Sequence, residues 1–179
     1  MSEKWLRTKE LLQNVELPPE RGLPSGVSEE AVYEFELAFG RNIPEEWSEF
    51  LKFTNGPCVG AGGLFGYATD DRNLDVRYYW SIYPAWCMKG WIPVAGDGCG
   101  NYFILAANEE YGNFDPVLFV ESSVDSESAA YIVASGFRKF CEFYLAADAG
   151  EKRWPFNRDY VVTQDPKILD ARGISFPWE

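Results

Sequence analysis

The chain has 179 residues, with 28 Asp and Glu against 16 Lys and Arg, and not one histidine. Such a length buries a sizeable core without disulfides or a structural metal, and 46% hydrophobic and 17% aromatic residues exclude an acidic disordered chain. Lacking histidine, the protein has no Ser-His-Asp or Cys-His nucleophile and no His-liganded zinc, which leaves carboxylate, lysine, tyrosine or bare cysteine chemistry.

In chain order, Ser2 to Val15 places Trp5, Leu11, Leu12 and Val15 on a helical stripe, and the following Leu17-Pro18-Pro19 and Gly22, Pro24, Gly26 read as a linker. Ser28 stands at a helix N-cap, with Glu29 and Glu30 in the first turn, where the helix dipole favours acids. Val32, Phe35 and Phe39 recur at three and four, so 28–39 is an amphipathic helix closed by Gly40. Pro44, a suitable first helical residue, opens the next helix, whose inward stripe is Trp47, Phe50 and Leu51.

From Gly60 the period changes. Gly62 to Tyr67 and the aromatic and β-branched Leu74 to Ile82 both read as strands. Trp91 to Ala95 and Asn101 to Ala106 flank a glycine-rich loop as a hairpin, with Pro93 marking an edge or a bulge. Val117 to Val120 continues the meander. A polar stretch, Glu121 to Ser128, and the segment Tyr131 to Val133 follow. Phe137, Phe140, Cys141, Tyr144 and Leu145 make a full helical stripe. Residues 151–179 carry apolar anchors such as Trp154, Val161 and Trp178 without sustained periodicity, an extension laid over the domain.

The expected fold is therefore α+β: a single domain with an N-terminal helix pair, a central antiparallel sheet of about four to six strands, and a closing helix packed on the sheet. Its parts are an N-terminal helix and linker (1–25), the α+β domain (26–148) and the extension (149–179). Trp47, Trp91, Phe137 and Phe140 are assigned to the core. The four cysteines show no CxxC or other short-spaced pair and read as reduced thiols, Cys141 in the core. No apolar run approaches a membrane span and no secretory signal is evident, so the expected location is the cytoplasm.

Divided along the chain, the charge is uneven. Residues 1–27 and 151–179 are each neutral, whereas 28–150 hold 19 acids and 7 bases and so carry the whole net charge of −12. A field of that sign repels nucleic acid and anionic membrane and steers cationic partners. It is equally the field of a surface kept for solubility.

The order of elements and the residues that mark them resemble the SUKH superfamily, which includes fungal cell-wall assembly regulators and bacterial immunity proteins. The resemblance rests on Gly26-Val27-Ser28-Glu29-Glu30, Ile43-Pro44-Glu45-Glu46-Trp47 through Phe50-Leu51 with Asn55-Gly56, Leu64-Phe65-Gly66, the hairpin from Pro93-Val94-Ala95 to Gly100-Asn101-Tyr102, and Ser135-Gly136-Phe137 leading Phe140. It implies a non-enzymatic binding domain without cofactor or metal. Its partner would be a basic protein toxin domain of the nuclease type, encoded beside it and neutralised by contact. The alternative is a regulatory scaffold module of the cell-wall regulator kind. The two end segments fall outside the resemblance and could cap the sheet, mediate a homodimer or contribute to binding.

Candidate contact residues are acids beside aromatics, since aromatics supply desolvated anchors and carboxylates pair arginine bidentately. Asp70, Asp71 and Asp75 precede Tyr78 and Tyr79; a solvated turn before a buried strand accounts for the same pattern. Glu109, Glu110 and Asp115 form a second acidic rim around Tyr111 and Phe114, again open to simple solvation. Asp97, in Gly96-Asp97-Gly98-Cys99-Gly100, lacks a P-loop Lys-Ser/Thr or the successive acids of a calcium loop, and reads first as a hairpin turn.

Overall fold

A computed structural model describes residues 3–15, 17 and 22–179. Helices α1 (Leu6–Asn14), α2 (Glu29–Phe39), α3 (Glu45–Phe53), α4 (Val76–Ile82) and α5 (Pro84–Lys89) precede strands β1 (Trp91–Gly96), β2 (Tyr102–Ala106) and β3 (Val117–Val120). Then come a one-turn α6 (Ser122–Asp125), β4 (Tyr131–Ala134), α7 (Phe137–Asp148) and α8 (Arg158–Gln164). The fold is α+β. Its four strands pair antiparallel in the order β1-β2-β3-β4, the low end of the expected number. Pro18 and Pro19 of the expected linker lie outside the described residues.

The caps explain the helix boundaries. Ser28 Oγ accepts the Ala31 N–H at 3.2 Å, and Gly40 ends α2 in the left-handed region while donating its N–H to the Glu36 carbonyl at 2.8 Å. Pro44 sits one residue earlier than expected, at the N-cap, where its carbonyl accepts the N–H groups of Trp47 and Ser48. Pro93 falls at the β1 register shift between Pro93 and Ala95. Trp47, Trp91, Phe137, Phe140 and Cys141 are buried as assigned.

Two expected strands are not part of the sheet. Gly62 to Tyr67 makes only the isolated bridges Leu64 to Ala95 and Gly66 to Asp75. Within Leu74 to Ile82, Val76–Ile82 is helix α4, because Asp75 Oδ1 accepts the Arg77 N–H at 2.9 Å and caps it. Val76 and Tyr79 then recur at helical spacing and are buried. Aromatic and β-branched composition, a packing preference rather than a backbone one, had hidden that period.

The expected extension packs firmly. Trp154 stacks on Phe143 with centroids 6.0 Å apart, and its Nε1–H donates to the Val133 carbonyl at 2.9 Å. Its chain is more regular than anticipated, forming α8 and a 3-10 turn over Pro166–Asp170. Asp165, 2% exposed, accepts the Ser135 N–H and hydroxyl at 2.7 and 2.6 Å. The sheet edges are covered as well. Phe65 donates to the Val94 carbonyl on the β1 side, and Ile132 of β4 donates to the Ser175 carbonyl. Among the described residues no helix is long and apolar enough to cross a membrane.

Candidate partner-binding surface

The loop after α3 is held by one side chain. Asn55 donates from Nδ2 to the Tyr67 carbonyl at 2.9 Å and accepts the Tyr67 N–H at 2.8 Å, so it stands in for a strand. A Cβ on Gly66 would lie 2.2 Å from Asn55 Oδ1, which explains the glycine there. This clamp presents the 68–74 loop beside an open groove of about 990 Å³ whose rim includes Thr69, Asp70, Asp71 and Asn73. Asp70 is exposed, while Asp71 caps the 3-10 turn Arg72–Leu74 by accepting the Asn73 N–H at 3.0 Å.

Asp75 and Tyr79 were expected at the surface, and the structure corrects both. Asp75 is 4% exposed, caps α4 and receives Arg77 Nε at 3.1 Å and Nη2 at 2.6 Å. Tyr79 is 8% exposed and stacks on Phe65, its hydroxyl donating to the Asn73 carbonyl. Each is a structural residue under the surface that the others form.

Tyr78, half-buried, meets Tyr79 edge-on at 5.4 Å, with the Arg72 guanidinium 5.2 Å from its ring centre. Tyr79 in turn touches Tyr102 at 5.1 Å, and Tyr102 touches Tyr83 at 5.7 Å and Trp86 at 5.4 Å. Burial pushes Tyr102 up to about 12, with Tyr83, Tyr78 and the Asp97 charge adding to it. Tyr79 is raised by burial, by Tyr102 and Tyr78, and by the Asp71 charge. Asp71 and Asp97 therefore lie at two borders of one tyrosine cluster, which joins two candidate groups far apart in sequence. Neither Tyr83 nor Tyr102 was among the contact residues expected from the sequence. Tyr83 follows Tyr79 by four residues, and Tyr102 opens a strand whose alternation sends it to the face opposite Phe103.

Asp97 also has the turn role. Its carboxylate accepts the N–H groups of Cys99 and Asn101 at 2.7 and 3.0 Å and the Asn101 amide at 2.8 Å. Glu109, Glu110 and Asp115 lie apart, on the β2–β3 connection. Glu109 and Glu110 are exposed, and Asn108 Nδ2 donates to Glu110 at 3.1 Å. Asp115 is half-buried in a cleft of about 380 Å³ with Glu46 and Lys167. Burial raises its pKa, Glu46 and Glu109 add to the rise, and Lys167 opposes it. Glu46 itself caps α7, accepting the Arg138 N–H at 2.9 Å. Among the described residues no cluster of three or more His, Cys, Asp or Glu side chains is placed to hold a metal ion.

The bases of the acidic segment are largely taken. Lys52 pairs with Glu29, Arg77 with Asp75, Lys89 with Glu127, and Arg138 and Lys139 with Glu142. Among the described residues Glu34, Glu45, Asp70, Glu109, Glu110 and Glu121 have no ion-pair partner.

Residues 26–142 match the SMI1 / KNR4 family (SUKH-1), well over half of the chain. The protein belongs to this family. No curated protein sequence matches it. The SUKH-1 segment runs from just before α2 into α7 and contains the Asn55 clamp, the tyrosine cluster and both acidic rims. It holds 18 of the 28 acids and 7 of the 16 bases.

Proposed function

We propose that this SUKH-1 protein is a non-enzymatic immunity protein that binds and neutralises a basic toxin domain of the nuclease type. Asp70, Asp71 and Asp97 around Tyr78, Tyr83 and Tyr102 would be its contact surface. The observation that carries this reading is the meeting of two half-buried acids, Asp71 and Asp97, with the half-buried tyrosines Tyr78, Tyr83 and Tyr102 within the family domain. Tyrosines offer rigid contact area at low entropic cost, and acids speed encounter with a basic partner and fix its orientation. A protein that acts by contact needs no catalytic constellation, and Glu46, the acid that faces Asp115, already serves as a helix cap. The cytoplasm would be its place of action.

The test mixes the purified protein with the toxin domain encoded beside its gene and follows nuclease activity and complex formation across a salt series. Inhibition at near-equimolar protein, with association slowing as salt rises, is the expected result. Undiminished toxin activity at about tenfold molar excess, where a nanomolar complex would be complete, would leave the regulatory-module reading in its place.

A further inference from the structure

Helix α2 carries two apolar stripes. Val32, Phe35 and Phe39 face the core, but Tyr33 and Leu37, four residues apart, are 61% and 64% exposed. Side chains four apart on a helix are neighbours, so these two form one continuous outward ridge. Glu30 and Glu34, exposed and also four apart, make the row beside it. Core packing needs none of these four residues, and a helix facing only water would carry polar groups at 33 and 37.

The charge beside the ridge is not balanced locally. Lys52, the base that crosses from α3, is spent on Glu29 at 2.8 Å. Arg41, beyond the end of the helix, is held by the Ala107 carbonyl and lies 5.4 Å from the Phe39 ring centre. A second copy of this chain would bring acids to face the Glu30 and Glu34 row, with neighbouring bases already engaged. What complements the ridge is an apolar stripe bordered by Lys or Arg.

We infer that the outer face of α2 is a second docking site, taking a basic amphipathic helix of the partner protein. Tyr33 and Leu37 are the anchors, and Glu30 and Glu34 the charges that set its orientation. The inference rests on the partner being the basic toxin proposed above, and it places part of the grip outside the tyrosine cluster. Trp80 of α4 stacks on Phe35 and Phe39 at 5.1 and 5.2 Å, on the inward face of α2, so the ridge lies on the side of α2 turned away from α4 and is a separate point of contact.

The experiment compares wild type, Tyr33→Ala/Leu37→Ala, Glu30→Gln/Glu34→Gln and Tyr78→Ala by calorimetric titration with the toxin domain, at low and high salt. Both double variants change solvent-facing residues; because the Glu30 carboxylate also bonds at the α2 N-cap, folding is verified by a wild-type circular dichroism spectrum and a cooperative melt. Loss of the ridge is expected to weaken binding by about tenfold or more at either salt concentration. Loss of the acids is expected to weaken it mainly at low salt and to flatten the salt dependence. Affinity within about twofold of wild type for both double variants overturns the α2 site, while weakening by Tyr78→Ala leaves the tyrosine surface standing. Wild type that does not bind the toxin overturns both. Self-association of wild type that Tyr33→Ala/Leu37→Ala abolishes assigns the ridge to a second copy and also overturns the inference.

Discussion

Burial makes the Asp115 side chain easier to protonate in the folded protein than in the unfolded chain, and the Glu46 charge adds to that. A carboxyl whose folded pKa is raised contributes stability that is complete below its unfolded value and is lost as pH rises through the folded one. Asp115→Asn removes a charge that the fold disfavours, so at pH 7 it should raise the melting temperature. At a pH low enough to protonate Asp115 in both the folded and the unfolded chain, the difference should vanish. A melting temperature lowered at pH 7 would mean that Lys167 outweighs burial and Glu46. Glu49 has the opposite sign. Burial works against its charge, yet the Trp5 indole N–H at 2.7 Å and Lys4 at 2.9 Å hold its pKa below the ordinary value, so its contribution is lost as pH falls. At this scale sequence reading found acids beside aromatics but could not rank them. Asp71 and Asp75 stand in similar turns, yet one lies on a groove rim and the other beneath the surface with Arg77, and only the path of the chain separates them.

Three elements meet at the Gly60 to Gly62 loop. The Tyr144 hydroxyl of α7 accepts the Gly62 N–H at 3.0 Å and donates to the Gly96 carbonyl at 2.9 Å, which locks the loop between helix and hairpin. A Cβ at Gly62 would lie 2.4 to 2.7 Å from Gly96 backbone atoms, none of which can swing aside. Gly62→Ala should therefore cost about 1–3 kcal/mol, the usual range for overpacking, read as a lower urea midpoint with unchanged slope. A neutral result would mean that the hairpin moves freely against α7. Helices α2, α3 and α7 were legible in the sequence because each joins a full 3.6-residue stripe to start or stop signals such as Ser28, Gly40 and Pro44. Helix α4 was not, since only seven residues show its period and most are aromatic or β-branched. Helix α8 is equally short, and Val161 is its one buried residue.

For the whole molecule, the ends matter more than their neutral charge suggests. The last residues tie the sheet to its surroundings, with Arg172 donating to the Tyr111 carbonyl and Ile132 to the Ser175 carbonyl. Deleting residues 172–179 should leave β4 with an open donor edge, and such edges recruit other strands. Sedimentation velocity should then show concentration-dependent self-association of the truncated chain; a monomer at every concentration would show that β4 needs no cover. The charge asymmetry was legible from counting alone, but its organisation was not. Ion pairing inside the acidic segment, which decides which acids stay free, depends on contacts such as Arg138 to Glu46 that cross between helices.

The tyrosine cluster has an optical consequence. Trp86 is fully buried, with its ring centre 4.2 Å from that of Tyr83 and 5.4 Å from that of Tyr102, and its indole N–H is held by the Ser126 carbonyl. A partner that covers those tyrosines changes the surroundings of a fluorophore already in contact with them. The protein thus carries its own reporter, and engagement of that surface can be followed by intrinsic emission without a label.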